Sequence, residues 1–176
     1  MKNNILVILG AGKPKDSQSV AALTIDKITN STLLDWQLSL AQRYFDRIIF
    51  VTGYKNLELK QKHPNLEYVV NEDWKLTGPM GSLELVNINK NHNYCIMYSD
   101  LLVFDYQESL FINNNETLHF AYGEYDKSKK INAEKVIINN NQILKFGYDC
   151  SLGKNTFEFC GLISVAGSTL LKYIAT

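Results

Sequence analysis

The chain has 176 residues, with 18 acidic and 18 basic side chains and a formal net charge of zero. That length suits a single domain with a full core, and 45% hydrophobic residues is ordinary globular composition. The charge balance excludes a broad basic face for nucleic acid, and no apolar stretch is long enough to cross a bilayer, so neither nucleic acid nor membrane is an expected partner.

The first predicted element is the apolar run Ile5 to Leu9, which ends in Gly10. Unbroken apolarity over so short a run predicts a strand buried on both faces. Residues 13–32 are polar and broken by Pro14, Asp16 and several Ser and Thr, which predicts a long loop. Leu33 to Phe45 carries apolar positions at helical spacing, with Ser31 or Thr32 available as N-cap. Arg47 to Thr52 reads as the second strand, stopped by Gly53. Leu57 to Lys62 reads as a short helix ending near Pro64, and Leu66 to Val70 as the third strand.

In NEDWKLTGPMGSLELV, the part from Gly81 onward predicts a helix entered through a glycine-proline turn. Tyr94 to Tyr98 is a fourth buried strand, stopping at Ser99-Asp100. The rhythm then changes: Thr117 to Tyr125, Glu134 to Ile138, Gln142 to Phe146 and Thr156 to Val165 are all strand-like. Asn139-Asn140-Asn141 reads as a hairpin turn, and Ser168 to Ala175 as a last helix. Alternating strands and helices followed by strands alone predict an α/β fold. It is a Rossmann-like, mostly parallel sheet with helices on both faces and an added antiparallel strand region.

Cys95, Cys150 and Cys160 are odd in number and match no zinc spacing, and two of them lie in apolar runs, which predicts buried, reduced thiols. With no signal-peptide cleavage region after Met1, a cytoplasmic location is expected.

In a parallel α/β sheet, ligands bind outside the carboxyl ends of the strands. Three notable features fall at such ends: Gly10 to Lys15, Gly53-Tyr54 and Ser99-Asp100. Gly10 and Gly12 allow close backbone approach to an anion, which Lys13 and Lys15 would neutralise. The plainer reading is a turn with solvated lysines. The loop is not a Walker A loop, since no Gly-Lys-Ser/Thr follows. It is also a poor dinucleotide fingerprint, because Lys15 stands at the third glycine. Asp100 is suited to magnesium beside a phosphate, or, more simply, to a turn or cap. Gly78, Pro79, Met80, Gly81 and Ser82 would let backbone lie flat against a base, or merely open a helix. Lys135 and Glu158 are candidates for a cleft between the two halves, or for a solvent-facing strand surface.

Taken in order, these motifs resemble the nucleotidyltransferases of the sugar-phosphate and phosphocholine cytidylyltransferase type, over almost the whole chain. ILVILGAGKPK resembles the opening strand and Gly-rich loop of that family, and LLDWQLSLAQRYFDRIIFVTGY its first helix and second strand. YCIMYSDLLVFD resembles the strand ending in the metal-binding aspartate. EKVIINNNQILKFG with FEFCGLISV resembles the acceptor-side strands and their Glu-x-x-Gly.

The resemblance implies transfer of a nucleotidyl group from a nucleoside triphosphate to a phosphorylated acceptor, with release of pyrophosphate. Leu9, Gly10, Ala11, Gly12, Ser99 and the residues 78–82 would hold the nucleotide. Lys13, Lys15 and Asp100 would be catalytic, with Asp100 binding Mg2+, and Lys135, Glu158 and Gly161 would face the acceptor. CTP is the favoured nucleotide, because Asn71 to Leu83 is nearest to the pattern of the small-alcohol cytidylyltransferases. One domain over 1–176 is expected, with a nucleotide-binding half over 1–104 and an acceptor-binding half over 105–176. The fold often pairs, so a homodimer is a further expectation.

The chain also departs from the family pattern. Pro14 and Asp16 stand where a second glycine and an arginine are expected, and no acid follows Glu158 as a second metal ligand. The family domain usually runs longer. The expectation is therefore either a polypeptide short of part of the site or a remodelled site, with Lys13 and Lys15 as stand-ins. The alternative function is a catalytically impaired nucleotide- or sugar-nucleotide-binding domain of the same fold.

Overall fold

The apolar run near the N-terminus forms β1 (Asn4–Gly10), and its surroundings explain why it is apolar throughout. In the computed structural model, which describes residues 3–15, 18–104, 119–124, 134–140 and 142–174, β1 lies inside the sheet. It pairs in parallel with β2 (Arg47–Thr52) on one side and β4 (Asn93–Tyr98) on the other, and β3 (Glu67–Val70) continues the sheet beyond β2. Successive side chains of a strand point to opposite faces. Leu6 and Ile8 accordingly enter one core with Leu34 and Leu40 of α1 (Leu33–Ala41) and Leu59 of α2 (Asn56–Lys62). Ile5 and Val7 enter a second core with Leu83 of α3 (Pro79–Glu84) and Leu170 of α4 (Gly167–Ile174).

Of the two capping candidates for α1, Thr32 is the one used. Its hydroxyl oxygen accepts from the Asp35 amide at 3.1 Å, and the Asp35 carboxylate accepts from the Thr32 amide at 2.7 Å. This reciprocal pair satisfies two orphan donors. The helix stops at Ala41 rather than at Phe45. The next residues form a turn whose Phe45 still reaches the core, so the apolar pattern outlasts the helix.

Helix α3 begins at Pro79 rather than Gly81, because a proline's fixed φ suits the first helical position and Gly78 precedes it as cap. The expected loop over 13–32 is not plain loop where it is described. A 3-10 turn at Ala21–Leu23 pins it to the first core through Val20, Ala22 and Leu23.

The second half is antiparallel. The long strand β8 (Thr156–Ala166) pairs through residues 162–166 with β4 and through residues 156–158 with β6 (Lys135–Asn139), and β5 (His119–Glu124) lies along its other edge. Among the described residues β7 (Gln142–Gly147) pairs with β6 alone, as the outer arm of a hairpin that turns at Asn140 in the left-handed region, φ 47°. Asn141, like Asp16, Thr117 and Tyr125, lies outside the described residues.

Cys95 and Cys150 are buried and all three thiols are free, but Cys160 is exposed. Strand alternation turns it outward beside buried Phe159, at the point of β8 where the β4 ladder has ended and the β6 ladder has not begun. Among the described residues, no helix is long and apolar enough to cross a membrane.

Candidate functional site

The chain runs outward from β1 to β2 to β3 and then returns to place β4 on the opposite side of β1. The gap between the carboxyl ends of β1 and β4 is therefore a topological switch point, where open α/β sheets form a crevice. The three strand-end features do meet here. Ser99 N–H donates to the Leu9 carbonyl at 3.0 Å, and Tyr54 N–H donates to the Ala11 carbonyl at 2.8 Å. A cleft of about 280 Å³ opens at this edge, lined by Leu9, Gly10, Ala11, Gly12, Lys13 and Pro14 on one side. Thr77, Gly78, Pro79 and Ser82 form a second wall, and Tyr98, Ser99 and Asp100 a third.

Each wall is tied to the scaffold. Asn71, just past β3 and only 2% exposed, donates through Nδ2 to Thr77 Oγ1 at 2.8 Å and to Ser82 Oγ at 2.9 Å, and its own N–H donates to the Thr52 carbonyl. The α3 wall thus hangs from the ends of β2 and β3. Gln37 of α1, buried, donates through Nε2 to the carbonyls of Ser99 at 3.3 Å and Leu101 at 2.7 Å. Trp36 Nε1 donates to the Val103 carbonyl at 2.9 Å. Together they fix the turn that presents an exposed Asp100 at the cleft.

On the loop after β1, a Cβ added at Gly12 would meet nothing within 4 Å, so no packing within the protein requires a glycine there. Lys13 Nζ lies 5.7 Å from the centre of the Tyr54 ring and Lys55 Nζ 5.9 Å, within cation–π range. Lys15, Met80 and Gly81 sit in the same segments but do not line the cleft. Gly81 lies directly under the Thr77 side chain, 2.8 Å from its Cβ to an added Cβ.

Lys135, Glu158 and Gly161 lie in the antiparallel half, outside the cleft lining. Lys135 is buried and its Nζ donates to the Tyr148 carbonyl at 2.6 Å, while Glu158 stands opposite it across the β6–β8 ladder. Gly161 has φ +79°, and a Cβ there would come within 2.8 Å of the Tyr98 ring, so it acts as the floor under that ring. The Tyr98 hydroxyl donates to Glu134 Oε2 at 2.6 Å. Burial pushes the Tyr98 phenol well above the ordinary tyrosine range, and the Glu134 carboxylate pushes it further.

Among the described residues, no three His, Cys, Asp or Glu side chains gather as a metal cage, and Asp100 is the carboxylate on the cleft. That donor set does not suit a metal held by protein alone. It fits magnesium, which commonly binds through one or two carboxylates together with substrate phosphates.

Tyr98 and Gln37 are absent from the residues expected to form the site, and Asn71 and Thr77 enter only as part of the Asn71 to Leu83 stretch, with no role of their own. The strand-end rule, applied to β3 as well as to β1 and β4, reaches Asn71, and Tyr98 is the last residue of its own strand. Gln37 is a polar residue in the apolar stripe of α1, between Leu34 and Leu40, which is the mark of a buried side chain with a hydrogen-bonding task.

No family model matches the sequence, and no curated protein matches it. Solved structures do. The chain is similar to the inositol-1-phosphate CTP transferase from T. maritima, with a TM-score of 0.69 and 16% identity over 99% of this chain and 74% of that one. It is similar to the CTP:phosphocholine cytidylyltransferase from Streptococcus pneumoniae, with a TM-score of 0.68 and 18% identity over 98% and 75% of the two chains. A CMP:2-keto-3-deoxy-manno-octonic acid synthetase complexed with CTP gives a TM-score of 0.62 at 12% identity over 98% and 77%. The chain therefore has the α/β fold seen in these nucleotidyltransferases, with a parallel sheet on the glycine-loop side and antiparallel strands beyond it.

Proposed function

We propose that the chain is a nucleotidyltransferase that moves a nucleoside monophosphate, CMP by preference, from a triphosphate to a phosphorylated small-molecule acceptor. The observation that carries this reading is the cleft at the β1–β4 switch point, where the glycine loop, the α3 turn and Asp100 meet. In the reaction, an acceptor phosphate oxygen attacks the α-phosphorus. A new P–O bond forms, the bond to the bridging oxygen of the β-phosphate breaks, and pyrophosphate leaves with those electrons. Such chemistry needs positioning and charge neutralisation more than covalent help from the protein.

In this reading residues 9–12 and 78–82 with Ser99 bind the nucleotide, and Lys13 with Lys15 neutralises the phosphates. Magnesium, when bound at Asp100, supplies further positive charge to the phosphate oxygens. The half over 1–104 serves the nucleotide, and the half over 105–176, with Lys135, Glu158 and Gly161, serves the acceptor. The preference for CMP is supported by the Asn71 to Leu83 stretch and by the CTP-using enzymes among the similar structures.

The test is magnesium-dependent pyrophosphate release across the four triphosphates with a panel of phosphorylated sugars and alcohols. Release with CTP and one acceptor class supports the reading, and release with no pair overturns it as a catalytic assignment. A second reading, a nucleotide-binding domain without turnover, is favoured by Asp100 being the sole carboxylate lining the cleft among the described residues. Saturable CTP binding without release from any pair would establish it.

A further inference from the structure

We infer that Glu134 is a positioning residue that locks the Tyr98 ring as the wall of the nucleotide cleft and so couples the antiparallel half to the strand end that carries Asp100. The consequence for binding rests on the nucleotide reading above; the locking itself does not.

Tyr98 belongs to the parallel half. It ends β4, lines the cleft, and precedes Ser99 and Asp100 directly. Among the described residues, three from the other half grip its ring. Gly161 gives the floor, at a place where any side chain would strike the ring. Phe159 packs edge-on, with ring centres 5.8 Å apart. Glu134 takes the hydroxyl at 2.6 Å. Glu134 is held in turn by its own backbone, since its carbonyl accepts from the Phe159 amide at 2.9 Å. Next to it, Lys135 donates to the Tyr148 carbonyl, which ties the same corner to the end of β7.

Two consequences follow from this chemistry. Tyr98 offers the cleft its ring and no O–H donor, because its one hydroxyl proton is already committed to Glu134. A carboxylate beside a cleft for polyanions is electrostatically unhelpful, so its value lies in the hydrogen bond it accepts rather than in its charge. Neutral glutamine accepts the same bond and would preserve the function, whereas alanine would not.

The experiment uses the full chain, with CTP and magnesium as probe, in wild type, Glu134→Gln, Glu134→Ala and Tyr98→Phe. Affinity is measured by calorimetry, and the Tyr98 ring signals by NMR with ¹³C-labelled tyrosine. Loss of a charge-assisted hydrogen bond predicts about tenfold weaker CTP binding and displaced Tyr98 signals in Glu134→Ala. Glu134→Gln should stay within about threefold of wild type, because the weaker neutral hydrogen bond is offset by removal of a negative charge beside a site for polyanions. The double variant Glu134→Ala, Tyr98→Phe should bind no more weakly than the worse single variant, as for two members of one pair.

The inference is overturned if Glu134→Gln is as damaging as Glu134→Ala, if the two losses add, or if the Tyr98 signals do not move in Glu134→Ala. Should Glu134→Ala fail to fold, Tyr98→Phe and Glu134→Gln give the same comparison. A wild type that binds no triphosphate would defeat the nucleotide reading alone. The NMR arm would still decide whether Glu134 holds Tyr98.

Discussion

β1 and β7 show two ways of being a strand in this molecule. From Ile5 to Ile8 every side chain of β1 is buried, while from Gln142 to Phe146 every side chain of β7 is exposed. β1 has strands on both sides and helices on both faces. β7 is the outer arm of a hairpin, paired along one edge among the described residues. The residues differ much less than the environments do: Ile143, Leu144 and Phe146 are as apolar as Ile5, Leu6 and Val7. A buried neighbourhood, rather than an apolar side chain, makes a position costly to change. The cleft lies on the well-buried half and borrows only the support of one wall from the other.

The largest expected effect separates the two strands. Leu6→Ala should cost about 2–5 kcal/mol in urea unfolding, as for a fully buried leucine, while Leu144→Ala should cost under about 0.5 kcal/mol. Equal costs would break the comparison. Next comes the seam between the halves. Gly161→Ala forces a side chain into a left-handed backbone against the Tyr98 ring and should cost about 1–3 kcal/mol, read as a fall in unfolding midpoint. A neutral result would mean that the β8 backbone at Gly161 relaxes freely.

A smaller effect is expected at Gln37→Leu. It removes the donor to the Ser99 and Leu101 carbonyls, but it also removes a buried Oε1 that has no partner among the described residues. These terms oppose, so a net cost of about 1 kcal/mol is expected, with a larger loss in CTP affinity than in stability. The smallest effect is at the α1 cap. The Thr32 hydroxyl holds the Asp35 carboxyl below its ordinary value of 3.8. The folded state therefore binds that proton less readily than the unfolded chain. The stabilisation is complete above the ordinary value and is lost as pH falls below it, through the lower folded value. Thr32→Ala should cost about 1 kcal/mol at neutral pH and flatten the acid dependence of unfolding in that window.

The strands of the first half and the convergence of their ends were legible because long-range covering by helices leaves a local trace: short, unbroken apolar runs ended by glycine or Ser-Asp. The antiparallel strands were legible as strands, but their pairing was not. Nothing local in FEFCGLISV says that β4 and β6 share one edge of β8, or that the outward face at Cys160 is left exposed. The cleft was legible in the glycine loop and at Asp100. It was less legible in the residues that hold its walls, Asn71 behind α3 and Gln37 behind the Asp100 turn, whose partners lie on other elements. Gly161 could be read only as a motif position, since the ring it accommodates is more than 60 residues away in the chain.

The central claim is that the loop after β1 meets a nucleotide at the switch point. Gly12→Val tests it most directly, because the position has open space on the protein side and an ordinary φ, so the fold should accept the change. Calorimetric titration of CTP with magnesium should give saturable binding to wild type and a loss of about 100-fold or more in the variant, at an unchanged unfolding midpoint, as expected when a side chain blocks close backbone approach. Equal binding by a folded Gly12→Val variant would contradict the account.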